Sequence, residues 1–259
     1  DDKPWVIGEF VWTGFDYLGE PTPYDEMWPS RSSYFGISDL AGLPKDRYYL
    51  YRSRWNTEEE TLHILPHWNW EGREGEITPV FAYTNYPSAE LFVNGKSMGM
   101  QHKNDSSPQN RYRLMWMDVK YEPGTIEIVA YDKDGKKKIS KQISTSEAPY
   151  QIKMEADRSK LKADGKDLAF VTVSVLDREG RPCPTATNQL KFKVKGAGTY
   201  RAACNGDATS LELFHLPTMQ LFSGKLVVLV QSTSDEGNIN LTVTGKGLKK
   251  AEFPLQSFQ

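Results

Sequence analysis

The chain has few of the residues that mark metalloproteins, disulfide-rich proteins or nucleic-acid-binding proteins. Its 259 residues include only two cysteines and four histidines, too few for a disulfide framework or a zinc site built on cysteine alone. No apolar run approaches the roughly 18 residues that a membrane-spanning helix needs. The formal net charge of -2 leaves no basic surface of the kind that binds nucleic acid. We therefore expect no metal, no nucleic-acid partner and no membrane span.

The two cysteines leave two arrangements open. Cys183 and Cys204 either form one disulfide bond or remain buried free thiols, and we favour the thiols because free cysteine is among the most buried residue types. The N-terminal Asp1-Asp2-Lys3-Pro4 has neither the basic start nor the apolar core of a secretory signal peptide. If the mature protein is exported, we expect its signal to lie upstream of Asp1.

Near the start of the chain is an unusual run that is rich in aromatic residues and glycine, GEFVWTGFDYLGEPTPY. We predict a strand from Trp5 to Thr13, followed by a long loop rich in Pro, Gly and Ser. In parallel α/β barrels the active site lies at the carboxyl ends of the strands and in the loops that follow them. Trp12, Asp16 and Glu20 are therefore candidates for substrate contact.

A helix is predicted after this loop, in the segment LPKDRYYLYRSRW. Tyr48, Leu50, Tyr51 and Trp55 recur at spacings of three and four residues, which is typical of one face of a helix. Asp46 stands near the expected start, where an acidic side chain is favoured. Strand, loop and helix together make one βα unit.

From residue 57 to residue 148 the pattern changes to short segments that alternate apolar and polar residues. These segments are LHILP, TPVFAYT, AELFVNG, YRLMWMDV, GTIEIVAYD and KKISKQIST. Asn94-Gly95 and Asp134-Gly135 separate pairs of them and tolerate the positive φ of tight hairpin turns. The number and spacing of these strands are typical of an immunoglobulin-like β-sandwich.

Residues 149–259 contain a second series of the same kind, namely YQIKMEA, LAFVTVSVLD, LKFKVKG, YRAACNG, KLVVLVQST and INLTVTG. Val171, Val173 and Val175 share one side of the clearest strand, so we expect them in a core. The predicted fold class is therefore mostly β, with two immunoglobulin-like β-sandwiches after the N-terminal βα unit.

Several segments, in this order, point to a known family: GEFVWTGFDYLGEPTPY, WPSRSSYFGISDLAGLPKDRYYLYRSRW, HILPHWNW, AELFVNGKSMG and AACNGD. Together they extend over nearly the whole chain and resemble the C-terminal part of bacterial β-galactosidases of glycoside hydrolase family 2. The resemblance implies that residues 1–56 are a C-terminal remnant, strand eight and helix, of the catalytic (β/α)8 barrel. It makes residues 57–148 and 149–259 two immunoglobulin-like β-sandwiches.

The same resemblance places both catalytic carboxylates outside this chain. The family's acid/base is the Glu of an Asn-Glu pair, which this sequence does not contain, and its nucleophile would precede Asp1. Glu9, Asp16 and Glu20 either supply the pair of carboxyl groups about 5 Å apart that retention requires or order the loops, as we favour. Glu9 lies three residues before Trp12, on the opposite face of a regular strand.

Substrate contacts are predicted nonetheless. Trp12 matches the family's strand-eight Trp, which forms an apolar wall of the subsite for the reacting sugar, and the resemblance implies a cis peptide bond between Trp12 and Thr13. Asp16 and Arg31 complete the predicted substrate-binding residues, although Arg31 and Tyr34 of the long loop either contact substrate or order that loop. We predict no metal site and no cofactor for this chain.

Four other motifs each have two interpretations. The HWNW segment at residues 67–70 either lines an outer sugar subsite or, as we favour, attaches a sandwich to the barrel. His63 and His67 have the spacing of metal ligands but lack a third ligand. Residues 132–135, DKDG, predict a hairpin turn rather than a calcium loop. Asn205-Gly206-Asp207 predicts a turn, or a contact with a neighbouring domain or ligand.

The resulting hypothesis is the C-terminal segment of a retaining, exo-acting β-galactosidase that is periplasmic or secreted in a bacterium. The parent enzyme would bind a terminal β-linked sugar, this segment would pack on its own upstream barrel, and the segment alone would be inactive. A non-catalytic carbohydrate-binding or adhesive module is the alternative, since a β-sandwich hosts both roles. Inert spacer domains are a third hypothesis.

Overall fold

A computed structural model describes residues 3–26 and 30–259. Within these ranges the chain forms sixteen β-strands and one α-helix, which confirms the mostly β fold class. The strands make four sheets, and all strand pairs but one are antiparallel. The described part of the chain contains no helix that is long and apolar enough to cross a membrane.

The helix, α1, is Asp46–Trp55, as predicted. Asp46 lies in its first turn and two arginines lie in its last turn, an arrangement that the helix dipole favours. The predicted apolar face is not buried, because Tyr48, Tyr51 and Trp55 line an open groove of about 630 Å³. Another aromatic ring makes the contact with the sheets: Tyr49 stacks on His63 with a centroid distance of 3.9 Å.

The predicted strand from Trp5 to Thr13 is wrong for this chain. No strand forms in the described residues before residue 62, and both Ile7 and Phe10 are fully exposed. A strand needs neighbouring strands to satisfy its backbone N–H and C=O groups, and this segment lies beside none. The assignment of Gly8 to Thr13 to a barrel strand stays a prediction, because such a strand would pair with other strands of that barrel.

The first sheet unit contains seven strands and one core. Its strands are β1 Leu62–Leu65, β2 Val80–Thr84, β3 Ser88–Val93, β4 Lys96–His102, β5 Leu114–Trp116, β6 Thr125–Tyr131 and β7 Lys137–Ser144. They form a three-stranded sheet, β1-β2-β5, and a four-stranded sheet, β4-β3-β6-β7. Buried residues from both sheets join one hydrophobic cluster. Asn94 and Gly95 have φ of 48° and 79°, which confirms the predicted turn between β3 and β4.

The second sheet unit has nine strands around a separate core. Its strands are β8 Gln151–Ala156, β9 Lys160–Lys162, β10 Leu168–Leu176, β11 Gln189–Gly196, β12 Gly198–Cys204, β13 Thr218–Gln220, β14 Lys225–Ser232, β15 Gly237–Gly245 and β16 Ala251–Phe258. The sheets are β12-β14-β10-β8 and β13-β11-β15-β16-β9, with β16 and β9 parallel. Val171, Val173 and Val175 are buried in this core, as the alternation predicts. Cys183 and Cys204 are free thiols, as we favoured.

Candidate functional site

Trp12 lies on an exposed part of the N-terminal segment, by which we mean the described residues before α1. The residue is 74% exposed, and its ring meets Tyr17 edge-on with a centroid distance of 6.2 Å. The peptide bond between Trp12 and Thr13 is cis, as the family resemblance implies. The segment thus offers a large indole surface to anything that packs against it.

Backbone hydrogen bonds fix the residues that follow Trp12. Ile37 N donates to Thr13 O at 2.9 Å, Ser38 N donates to Gly14 O at 2.9 Å, and Asp16 N donates to Ser38 O at 3.1 Å. These bonds join residues about 20 positions apart in the sequence, so the turn after Trp12 is held by the end of the long loop.

Gly36 allows these two stretches of backbone to lie in contact. A Cβ atom on Gly36 would lie 2.3 Å from Asp16 N, 2.4 Å from Phe15 C and 2.6 Å from Ser38 O. Such distances are far below van der Waals contact, so any larger residue would push the loop away from the Trp12 turn. Glycine is therefore required here for space.

The turn after Trp12 and the end of the long loop meet at a contact that we call the junction. Asp16 is buried beneath it, at 4% exposure. Its Oδ1 accepts hydrogen bonds from Gly36 N at 2.8 Å and from Lys45 Nζ at 2.8 Å, and its Oδ2 lies 2.7 Å from the same Nζ. Lys45 Nζ also donates to Tyr34 O at 2.8 Å. The carboxylate thus fixes the loop from inside, and a contact between Asp16 and substrate stays a prediction.

Arg31 links the long loop to the second sheet unit. Its Nη2 donates to Glu212 O at 2.9 Å, and its guanidinium lies 5.2 Å from the ring centroid of Phe214. These contacts agree with the loop-ordering interpretation, and substrate binding by Arg31 stays a prediction. Tyr34 is 46% exposed and its ring lies beneath the Lys45 ammonium.

Comparison with known proteins gives two family matches. Residues 152–254 match the model described as "Glycoside hydrolase family 2 C-terminal domain 5", and residues 75–139 match "Domain of unknown function (DUF4982)". The chain carries C-terminal domains of glycoside hydrolase family 2. The family resemblance noted in the sequence is thereby confirmed.

Similar proteins in this family are longer than the chain. Beta-galactosidase BoGH2A of Bacteroides ovatus is 46% identical over 99% of the chain, which covers 29% of that protein. A putative beta-glucuronidase of Formosa agariphila is 37% identical over 75% of the chain, which covers 18% of its length. The chain thus spans less than a third of these curated relatives.

Solved structures show that the fold is shared as well. A beta-glycosidase from Bacteroides vulgatus superposes with a TM-score of 0.88 and 36% identity, over 98% of this chain and 31% of the other. A family 2 member from Bacteroides cellulosilyticus also gives a TM-score of 0.88, at 28% identity over 98% of the chain and 36% of the other. The arrangement of sheets described above is therefore shared with a solved member of family 2.

Tyr17 and Glu20 form a cluster with Trp12 that the sequence pattern alone did not reveal. Tyr17 OH donates a hydrogen bond to the Glu20 carboxylate, and this bond, which stabilises the protonated phenol, raises the pKa of Tyr17. The ring of Tyr17 bridges Trp12 and Phe35. A tyrosine and a glutamate three residues apart, five and eight residues after the tryptophan, were the sequence signal for this cluster.

The HWNW segment belongs to the first sheet unit of this family 2 chain. Trp68 is 1% exposed, lies in the core and donates from Nε1 to Glu122 O at 2.9 Å. Trp70 is stacked on His67 with a centroid distance of 4.4 Å, while the Arg73 guanidinium lies 5.2 Å from its centroid. Both tryptophans therefore contact residues of this chain.

The remaining motifs resolve into local structure. His63 Nε2 lies 2.7 Å from Asp46 Oδ1, and residues 3–26 and 30–259 contain no group of three or more His, Cys, Asp or Glu side chains that could hold a metal. Asp132 Oδ1 accepts from the N–H groups of Asp134 and Lys136, which confirms the hairpin turn between β6 and β7.

Asn205-Gly206-Asp207 makes a contact as well as a turn. Asn205 is buried and its Nδ2 donates to Gln220 O at 2.9 Å, while Asp207 Oδ1 accepts from Thr209 N at 2.8 Å. Gly206 faces Asp39 of the long loop. The contact with Asp39 agrees with the interpretation of this motif as a contact with a neighbouring domain. It connects the motif to the loop that holds the turn after Trp12.

Proposed function

We propose that this chain is the C-terminal part of a retaining, exo-acting family 2 glycosidase that hydrolyses β-galactosides. In this proposal Trp12 forms one apolar wall of the subsite for the terminal sugar. The catalytic carboxylates lie in an upstream part of a longer protein, where one protonates the glycosidic oxygen and the other forms the covalent glycosyl-enzyme. The 46% identity to a protein named as a beta-galactosidase supports the choice of sugar.

One observation carries the proposal: an exposed tryptophan stands on a segment that is itself tightly held. Aromatic rings bury much apolar surface at a small entropic cost when they are already ordered. Trp12 is 74% exposed, yet the residues after it are fixed by Ile37, Ser38 and the Asp16–Lys45 ion pair. A wall that must keep its place against a sugar ring has these properties.

The proposal also assigns the parts of the chain. Residues 1–56 are the end of the catalytic barrel, and residues 57–148 and 149–259 are two immunoglobulin-like sandwiches that pack on the parent's own barrel. Two separate hydrophobic cores support this division. The open groove beside α1 supports the packing, because the rings of Tyr48, Tyr51 and Trp55 in its mixed lining are left uncovered here. Periplasmic or secreted localisation is proposed from the family resemblance.

The test uses the longer protein that contains this chain, with chromogenic β-galactoside, β-glucuronide and β-mannoside as substrates. We expect the β-galactoside to give the highest kcat/KM, and Trp12→Ala to lower that value by about 100-fold, because a displaced or missing positioning group costs about this much. Phe258→Ala removes another exposed aromatic ring and serves as the control, with unchanged kinetics. Faster turnover of the β-glucuronide, or a Trp12→Ala enzyme equal to the parent, would refute the respective part of the proposal.

A further inference from the structure

At Gly206 the second sheet unit packs closely against Asp39 of the long loop. A Cβ atom there would lie 1.9 Å from Asp39 Oδ2, 2.5 Å from Asp39 Cγ and 3.0 Å from Asp39 Cβ. Gly206 is not among the residues with positive φ, so its backbone could accept other residues. Glycine is needed at this position for the space that the Asp39 side chain occupies.

Asp39 cannot easily move out of the way. Its Oδ1 accepts hydrogen bonds from Ala41 N at 2.9 Å and from Leu43 N at 2.8 Å, and its own N–H donates to Leu43 O at 2.8 Å. A rotation of the side chain would leave two partly buried N–H groups without acceptors, which is unfavourable in a folded protein. A larger side chain at position 206 would therefore displace the backbone of Asp39.

That backbone leads directly to Trp12. Ser38, the residue before Asp39, pairs with Gly14 O and Asp16 N, and Ile37 donates to Thr13 O. Thr13 forms the cis peptide bond with Trp12. A displacement at Gly206 therefore reaches the indole through residues 37–39 of the loop, their hydrogen bonds to residues 13–16, and the short stretch of chain that leads back to Trp12.

A second contact fixes the same loop of the sheet unit. The loop between β12 and β13 meets Arg31 through Glu212 O and the ring of Phe214. The loop is itself anchored, because Gln220 N donates to both oxygens of the Glu212 carboxylate at 3.0 and 3.1 Å. The second sheet unit thus holds the segment that contains Trp12 at two places.

We propose that the loop between β12 and β13, through Gly206 against Asp39, is a positioning element that sets the place of Trp12 in the sugar subsite. The inference rests on the proposed function. It gives the second sheet unit a part in substrate affinity, which the spacer hypothesis does not. Gly206 is a positioning residue, because it acts on Trp12 through Asp39 and Ser38.

The experiment compares Gly206→Ala with Trp12→Ala and the double variant in the longer enzyme, at a temperature where all variants are folded. We expect Gly206→Ala to raise KM for the β-galactoside by about tenfold, since a displaced aromatic ring loses contact energy that corresponds to up to about tenfold in affinity. The matched control is Gly245→Ala, whose new methyl group would press on Leu190 and Leu248 inside the same unit. It lowers the melting temperature and leaves KM unchanged.

Three double-variant comparisons decide the mechanism. In a Trp12→Ala background, Gly206→Ala has no further effect on KM, because the group that it displaces is gone. In an Asp39→Gly background, which removes all three atoms that the new methyl would meet, adding Gly206→Ala changes KM by less than twofold. In an Asp39→Asn background, which keeps Cβ and Cγ and puts an amide nitrogen in place of one carboxylate oxygen, the tenfold effect of Gly206→Ala persists. If Gly206→Ala does not fold, Phe214→Ala takes its place in the test. This variant removes the ring beneath Arg31, and we expect it to raise KM as well.

The outcomes separate this inference from the proposed function. If Trp12→Ala itself leaves the kinetics unchanged, the subsite role of Trp12 is wrong. If Trp12→Ala impairs the enzyme while Gly206→Ala and Phe214→Ala match the parent in KM, the positioning role is wrong. A Gly206→Ala effect that persists in the Trp12→Ala background also overturns it.

Discussion

Removing Lys45 should loosen the Trp12 segment more than removing the charge of its partner, Asp16. The side chain of Asp16 is fully buried, whereas that of Lys45 is 24% exposed. Lys45→Met leaves a buried carboxylate without a counter-charge, and breaking a buried pair in this way costs about 3–5 kcal/mol. We expect about 3 kcal/mol, because the partly open side of the site lets water reach the carboxylate.

Asp16→Asn should be milder because the ammonium that remains can be hydrated. It keeps the acceptor for Gly36 N and loses mainly a charge-assisted hydrogen bond, worth about 1.5–3 kcal/mol in a protein. We expect a value at the lower end of that range. The double variant, Asp16→Asn with Lys45→Met, should be less destabilised than Lys45→Met alone, because no unpaired charge is left.

Hydrogen exchange at the amides of Ile37 and Ser38 measures this difference. Both N–H groups donate to the Trp12 turn, so their exchange reports local opening of the junction. A cost of about 3 kcal/mol corresponds to exchange about 100-fold faster in Lys45→Met. Arg52→Met, which breaks an exposed ion pair with Glu59, should change these rates by less than about fivefold. Unchanged exchange in Lys45→Met, or faster exchange in Asp16→Asn than in Lys45→Met, would refute the reasoning.

Three further predictions concern the two sheet units. Burial lowers the pKa of Lys103 to about 8, below its ordinary value. The unfolded chain therefore binds more protons, and the free energy of unfolding rises between about pH 8 and pH 10. Lys103→Met should reduce this rise in urea titrations at several pH values, and an equal rise in the variant and the parent would contradict the prediction. Burial raises the pKa of Cys204 to about 12 and also raises that of Cys183, so at pH 8 a thiol reagent should label the native chain slowly and the denatured chain rapidly; rapid native labelling would count against it. Val173→Ala should cost about 2–3 kcal/mol in urea unfolding, against less than about 1 kcal/mol for its half-buried neighbour in Thr172→Ala, and similar costs for both would show that the core is misassigned.

The sequence predicts the elements whose pattern is local. Alternation identified β10 and its buried valines because each inward residue faces one core. The strand β4 was missed because its burial is low along most of its length and it includes Gly99, so no apolar alternation marks it. The helix α1 was found from its spacing, but the spacing did not show that its apolar face would remain uncovered.

The candidate site was only partly predictable. Trp12 and its cis peptide follow from the family resemblance, because a long motif surrounds them. The role of Gly206 did not follow, since a turn and a close contact require the same small residue and only the tertiary structure brings Asp39 against it. The strand predicted from Trp5 to Thr13 failed because strand formation depends on neighbours, which no local pattern contains.

We propose that this chain supplies a wall of a sugar subsite but not the catalytic carboxylates. The most direct test of this proposal measures turnover of a chromogenic β-galactoside by the isolated 259-residue chain and by the longer protein that contains it, at equal molar concentrations. We predict rapid hydrolysis by the longer protein and none above the buffer rate by the isolated chain. Significant hydrolysis by the isolated chain, lost in a Glu20→Gln variant, would contradict the account by placing a catalytic carboxylate within these residues.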